Sequence, residues 1–139
     1  MTAKNLKIIS SDYEQQIWAK RKQSLVAFLK DKLIIATNSF IHILKPEDIL
    51  YIKAYGNYSK LFCVNRNHPV TSSKTLKCYE DILIDKGFLR IHSNTIVNLS
   101  KITGIKRNGK LSIILDNDIE LKISQTYRRA LFSYMIKST

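Results

Sequence analysis

The sequence predicts a mainly β domain with a helix at each end and one short helix inside it. Short runs of β-favouring residues alternate with the turn-forming pairs Asn38-Ser39, Gly56-Asn57 and Asn108-Gly109. Helical spacing of apolar residues is confined to three stretches. The 139 residues, 45% of them hydrophobic, suffice for one real core and are too few for two large domains. We divide the chain into a helical extension, residues 1–31, and a β-rich domain, residues 32–139.

Ser11, three residues before Glu14, fits a capping box, so the first helix is expected from about Asp12 to Leu29. Ile17, Leu25, Phe28 and Leu29 would share one side, and Lys20, Arg21 and Lys22 the polar one. This helix would pack on the domain, pair with a second copy in a homodimer, or be a linker remnant; the sequence leaves all three open. LIIAT (33–37) and FIHIL (40–44) read as a hairpin, with Lys45 and Pro46 ending the second strand. Residues 47–64 form two apolar runs joined by a tight turn at Gly56 and Asn57, with Lys53, Tyr55, Tyr58, Ser59 and Lys60 around it. Rings between lysines suit stacking on bases or lying along a phosphate backbone, and equally suit a hairpin with cross-strand tyrosines. A short strand follows from Val70, then a packing helix between Lys74 and Ile84 that Gly87 terminates.

Residues 88–98, FLRIHSNTIVN, read as an extended element feeding the core through Phe88, Leu89, Ile91, Ile96 and Val97. Arg90, His92, Ser93, Asn94 and Asn98 are donors and acceptors held beside that scaffold, suited to a polar ligand. On residue types alone, His92 and Asn98 fit turn-capping roles better. ITGIKR and LSIIL form a hairpin at Asn108-Gly109, and LSIIL pairs onward with IELKI across Asp116 to Asp118. Ser124 is placed to N-cap a last helix whose Tyr127, Leu131, Tyr134 and Met135 recur at helical intervals, with Gln125, Thr126 and Arg128 near its start.

Charge narrows the function. With 23 Lys and Arg against 11 Asp and Glu, the chain carries a formal +12, which points to a polyanion: nucleic acid or an anionic membrane. Residues 49–79, 86–115 and 121–139 contain no acid and hold 15 of the 23 basic residues. No apolar run approaches the ~20 residues of a membrane span and the N-terminus lacks a signal-peptide core, so a cytoplasmic location is expected. Cys63 and Cys78 belong to no CxxC or Cys/His cluster and are expected as free thiols. His42, His68 and His92 are isolated, with no HxxxH, HExxH, GxSxG or P-loop pattern, so no catalytic residue, metal or cofactor is expected.

From Leu33 to Ile136 the order of elements and the segments EDILYIKAYGNYSKL, TLKCYEDIL, FLRIHSNTIVNLSKITGIKR and LKISQTYRRAL together resemble the LytTR-type DNA-binding domain of bacterial transcription regulators. The resemblance implies an elongated domain of about ten strands in stacked sheets that reads duplex DNA through loops, probing successive major grooves from one face. Its contact regions fall on Asn57 to Lys60, on His92 to Asn94, and on Gln125, Thr126 and Arg128, all within the acid-free windows. We therefore nominate Asn57, Ser59, His92, Ser93, Asn94, Gln125 and Thr126 for base edges, and Lys53, Tyr58, Lys60, Arg90, Lys101, Lys106 and Arg128 for phosphates.

Two departures bear on the target. Family members often carry a basic or amide side chain where this chain has Ser93, and an arginine where it has Gln125 and Thr126. Without that guanidinium, bidentate reading of guanine is lost, and Gln125 is suited to adenine instead. No receiver domain fits into the first 31 residues, so control by phosphorylation of a fused receiver is not expected; the chain reads as a free-standing regulator or one domain of a longer protein. Binding to repeated half-sites is expected because one small module buries a modest interface. An RNA-binding module and a protein-interaction module remain the alternatives.

Overall fold

The computed structural model describes residues 3–137, which fall into two compact units divided between Leu33 and Ile34. In the first, α1 runs over Ala3–Leu29, well upstream of the expected start. Ser11 therefore lies inside the helix and is not its cap, helical propensity upstream having overridden the local capping signal. Three consecutive helical residues spread over about 200° of the circumference, so Lys20, Arg21 and Lys22 do not form one polar side. Lys32 closes the C-terminal end: its Nζ donates to Phe28 O at 3.3 Å and lies 5.0 Å from the Phe28 ring centroid.

The described residues contain ten strands in three sheets, as the family resemblance implies. β1 (Leu33–Ala36) and β2 (Ile41–Leu44) make the two-stranded one, its turn closed by Thr37, whose N–H donates to Phe40 O at 2.7 Å. The five-stranded sheet has the order β5-β4-β3-β7-β6, built from β3 (Ile49–Tyr55), β4 (Tyr58–Cys63), β5 (Val70–Ser72), β6 (Phe88–His92) and β7 (Thr95–Asn98). The meander β3-β4-β5 reaches one edge, and α2 (Leu76–Ile82) carries the chain to the opposite edge, from which β6 and β7 return to pair with β3. The third sheet, β10-β9-β8, comprises β8 (Ile102–Lys106), β9 (Ser112–Leu115) and β10 (Glu120–Lys122), and α3 (Gln125–Lys137) ends the chain.

Residues 88–98 are thus not one extended element but two strands, turning at Ser93 and Asn94. No glycine or proline marks that turn, which is why alternation alone did not expose it. Gly56 and Gly109 do mark theirs, with φ of +62° and +77°. Ser124 stands at the N-cap position of α3 with its carbonyl accepting from Arg128 N at 3.1 Å, while its buried hydroxyl makes no capping bond.

A hydrophobic cluster joins the five-stranded sheet to the three-stranded one: Leu50, Ile91 and Val97 from the first meet Ile113 and Leu115 from the second, with Ile123 and Leu131 beside them. All four residues of β7 are buried, and its last, Asn98, is bonded on both sides. Asn98 Nδ2 donates to Ile49 O at 2.8 Å, while Oδ1 accepts from Ser100 N at 3.1 Å and Ser100 Oγ at 2.8 Å. Here the turn-capping reading of the sequence is the right one. α2 is fixed by Leu76, Leu83 and Tyr79, whose phenol donates to Ser72 Oγ. Burial pushes the Tyr79 phenol above its ordinary range, so it remains a neutral donor.

Replacing Asn98 by Ala removes the buried bond to the Ile49 carbonyl and the two bonds that tie exposed Ser100 to the end of β7. We expect a loss of roughly 2–4 kcal/mol in denaturant unfolding. Both cysteines are free, Cys63 buried and Cys78 exposed. Burial raises the Cys63 thiol from 9.0 to about 11, so the unfolded chain loses this proton at lower pH than the native one, and stability falls as pH climbs through that window. At pH 8 an alkylating reagent is expected to label Cys78 in the native protein and Cys63 only after denaturation, as peptide mass mapping would report.

Candidate nucleic-acid interface

Two backbone hydrogen bonds bring the three nominated segments to one rim. Ala54 N donates to Asn94 O at 2.9 Å, tying the β3–β4 hairpin tip to the β6–β7 turn. Ser124 N donates to Ile91 O at 2.9 Å, tying the start of α3 to β6 on the other side of that turn. Ala54 and Ser124, 70 positions apart in sequence, are thereby linked through β6 and β7.

At the hairpin tip Asn57 is exposed, and Tyr55 and Tyr58 are 43% and 56% exposed. Lys53 and Lys60 are cross-strand partners, and their ammonium groups lie 5.8 and 4.7 Å from the Tyr55 ring centroid. The ring holds both cations near the tip. Ser59 does not belong to this surface. It is fully buried on the same side of β4 as Leu61 and Cys63, and its Oγ donates to Lys74 O at 2.8 Å. Its nomination for a base edge is withdrawn, because strand alternation turns it inward.

In the central turn, Asn94 N donates to His92 Nδ1 at 3.3 Å, and Ser93 Oγ lies 3.4 Å from the same nitrogen. An accepting Nδ1 makes Nε2 the protonated nitrogen, a donor suited to purine N7 or O6. Asn94 Oδ1 accepts from Thr95 Oγ1 at 2.8 Å, which orients its amide nitrogen as a second donor. Ser93 is exposed. Arg90 is engaged within the protein: its Nη2 donates to Ser93 O at 2.7 Å and its Nη1 to Glu80 Oε1 at 3.2 Å.

Between the turn and α3 lies a groove of about 550 Å³ bordered by His92, Lys106, Lys110, Lys122, Gln125 and Arg128. Gln125 and Thr126 are exposed at the first turn of α3, and Arg128 Nε is buried with no partner. Glu120 is the one carboxylate on the groove, 3.7 Å from Lys106. Lys110 and Lys122 were not singled out in the sequence, although the Asn108-Gly109 turn signal already places Lys110 at a hairpin tip, and β10 alternation puts Lys122 on the exposed side with Glu120. Lys101 precedes β8, about 16 Å of strand away from Lys106, and does not border the groove. Among the described residues no group of three His, Cys, Asp or Glu is placed to hold a metal, and no helix is long and apolar enough to cross a membrane.

Comparison with known proteins bears on this rim. A family model described as the LytTr DNA-binding domain matches residues 39–136. Sensory transduction protein LytT of Bacillus subtilis is 28% identical over 102 residues, covering 72% of this chain and 42% of that protein. Transcriptional regulatory protein LytR of Staphylococcus aureus is 26% identical over 109 residues, covering 77% and 40%. This chain therefore spans about two fifths of the length of these relatives. The LytTr DNA-binding domain of a methyl-accepting/DNA response regulator from Bacillus cereus has the same fold, with a TM-score of 0.66 at 19% identity, over 76% of this chain and 96% of that one. The matched residues include the hairpin tip, the central turn and the start of α3, and the chain belongs to the LytTr DNA-binding domain family.

Proposed function

We propose that the protein is a transcriptional regulator that binds double-stranded DNA sequence-specifically through this rim. The observation that carries the reading is the pair of backbone bonds, Ala54 to Asn94 and Ser124 to Ile91, which holds three polar segments along one line among lysines. Asn57, His92, Ser93, Asn94, Gln125 and Thr126 read base edges; Lys53, Lys60, Lys106, Lys110, Lys122 and Arg128 neutralise phosphates, and the Tyr58 phenol donates to one. Two short turns and a helix start are narrow enough to enter a major groove about 12 Å wide. Single-stranded RNA is the second reading: Lys53 and Lys60 already lie against the Tyr55 ring, which leaves exposed Tyr58 as the ring for base stacking. The modest size of one rim favours operators with repeated half-sites, occupied by two copies.

Selection from a random duplex pool, followed by titration of the winner against its scramble, tests the reading. A short repeated motif bound orders of magnitude more tightly than the scramble is expected; equal, salt-sensitive binding to both, or preference for single strands, would sink it. Against the selected duplex, Asn94→Ala is expected to narrow the ratio of cognate to scrambled affinity about tenfold, with scrambled binding unchanged. Lys60→Gln should weaken both duplexes alike and reduce the slope of log affinity against log salt by about one.

A further inference from the structure

We propose that Arg90 is a positioning residue for the central turn, acting through Ser93 and Glu80 rather than touching DNA. This rests on the reading of His92 and Asn94 as base-edge readers and assigns what holds them in place.

The turn needs an external tie. His92 and Thr95 are register partners, so only Ser93 and Asn94 connect the strands. Two-residue hairpin loops match strand twist when at least one residue has positive φ, and unprimed turns splay the strands. Among the described residues, positive φ occurs outside glycine only at Asn65, Asn117 and Asp118, so neither Ser93 nor Asn94 has it. The register also slips between Arg90 and His92, an irregularity that adds local twist.

Arg90 supplies the tie. One terminal nitrogen bonds the Ser93 carbonyl at 2.7 Å, the other bonds Glu80 Oε1 at 3.2 Å, and the side chain is only 20% exposed. Glu80 is itself fixed, because the neighbouring Tyr79 and Leu83 bury α2 and the Tyr79 phenol is bonded to Ser72. A line of contacts therefore runs from the core through α2, Glu80 and the guanidinium to the turn's own backbone. A phosphate approaching Arg90 would meet a guanidinium already paired with the Glu80 carboxylate and only 20% exposed. A flat fork that bonds a carbonyl and a carboxylate at once is what lysine does not provide.

The test compares Glu80→Gln and Arg90→Lys with the parent chain in two measurements. In the free protein, amide hydrogen exchange at Ala54 and Asn94 reports the turn directly, since Ala54 N–H bonds the Asn94 carbonyl and Asn94 N–H bonds His92. Both variants are expected to exchange several-fold faster there, with the rest of the sheet unchanged. With DNA, both should lose about tenfold in cognate-to-scramble ratio while the salt slope stays that of the parent. Glu80→Gln is decisive, because removing a negative charge without disturbing the turn would raise affinity for every duplex. Unchanged exchange, or an Arg90→Lys protein that keeps full discrimination, overturns the proposal. If the parent itself does not discriminate, the DNA reading falls, and the exchange result alone decides whether Arg90 holds the turn.

Discussion

The register of β7 against β3 is the constraint on which the molecule depends. Tyr51, Ile52 and Lys53 pair with Val97, Ile96 and Thr95, and a slip of one residue would turn every β7 side chain to the opposite face. The strand is clamped at both ends, by Asn98 on the Ile49 carbonyl and by Ala54 on the Asn94 carbonyl. The clamp at the Asn98 end faces the interior and the one at the Asn94 end faces the rim. The same pairing that closes the core therefore fixes where the central turn emerges beside the hairpin tip.

Much of the architecture was legible because its signals are local. Asn108-Gly109 announces β8 and β9, Pro46 stops β2, and the spacing of Leu76, Tyr79 and Leu83 marks α2. The central turn was not legible, since Ser93-Asn94, though of turn-favouring types, stands without Gly or Pro inside an otherwise continuous β-favouring run. The burial of Ser59 was legible, since Ser59, Leu61 and Cys63 share a period of two on β4. The roles of Arg90 and Lys101 depend on long-range geometry. The sequence shows that Arg90 lies in a window without acids, yet α2 folds Glu80 against it from ten residues upstream.

That example applies to the charge as a whole. The acid-free windows are a property of the chain, and folding redistributes them. Lys77 pairs with Asp81 at 3.2 Å and Arg90 with Glu80, so α2 and its neighbourhood are largely neutralised internally, at small energetic benefit for the exposed pair. Only Glu120 accompanies the basic residues of the groove. The field that a polyanion meets is consequently stronger at the rim than +12 spread over the surface would produce.

The β3–β7 pairing also has a kinetic side. Tyr51 and Val97 are 46 residues apart, so their meeting requires closure of a long loop after the local hairpins have formed. The β3–β4, β6–β7 and β8–β9 hairpins are each quick, short-range events, while the rim exists only once β7 has docked between β3 and β6. A chain caught before that step carries all of its lysines and none of its reading geometry. Under the proposed reading such an intermediate would hold nucleic acid indiscriminately, and selectivity would be the last property to form on folding.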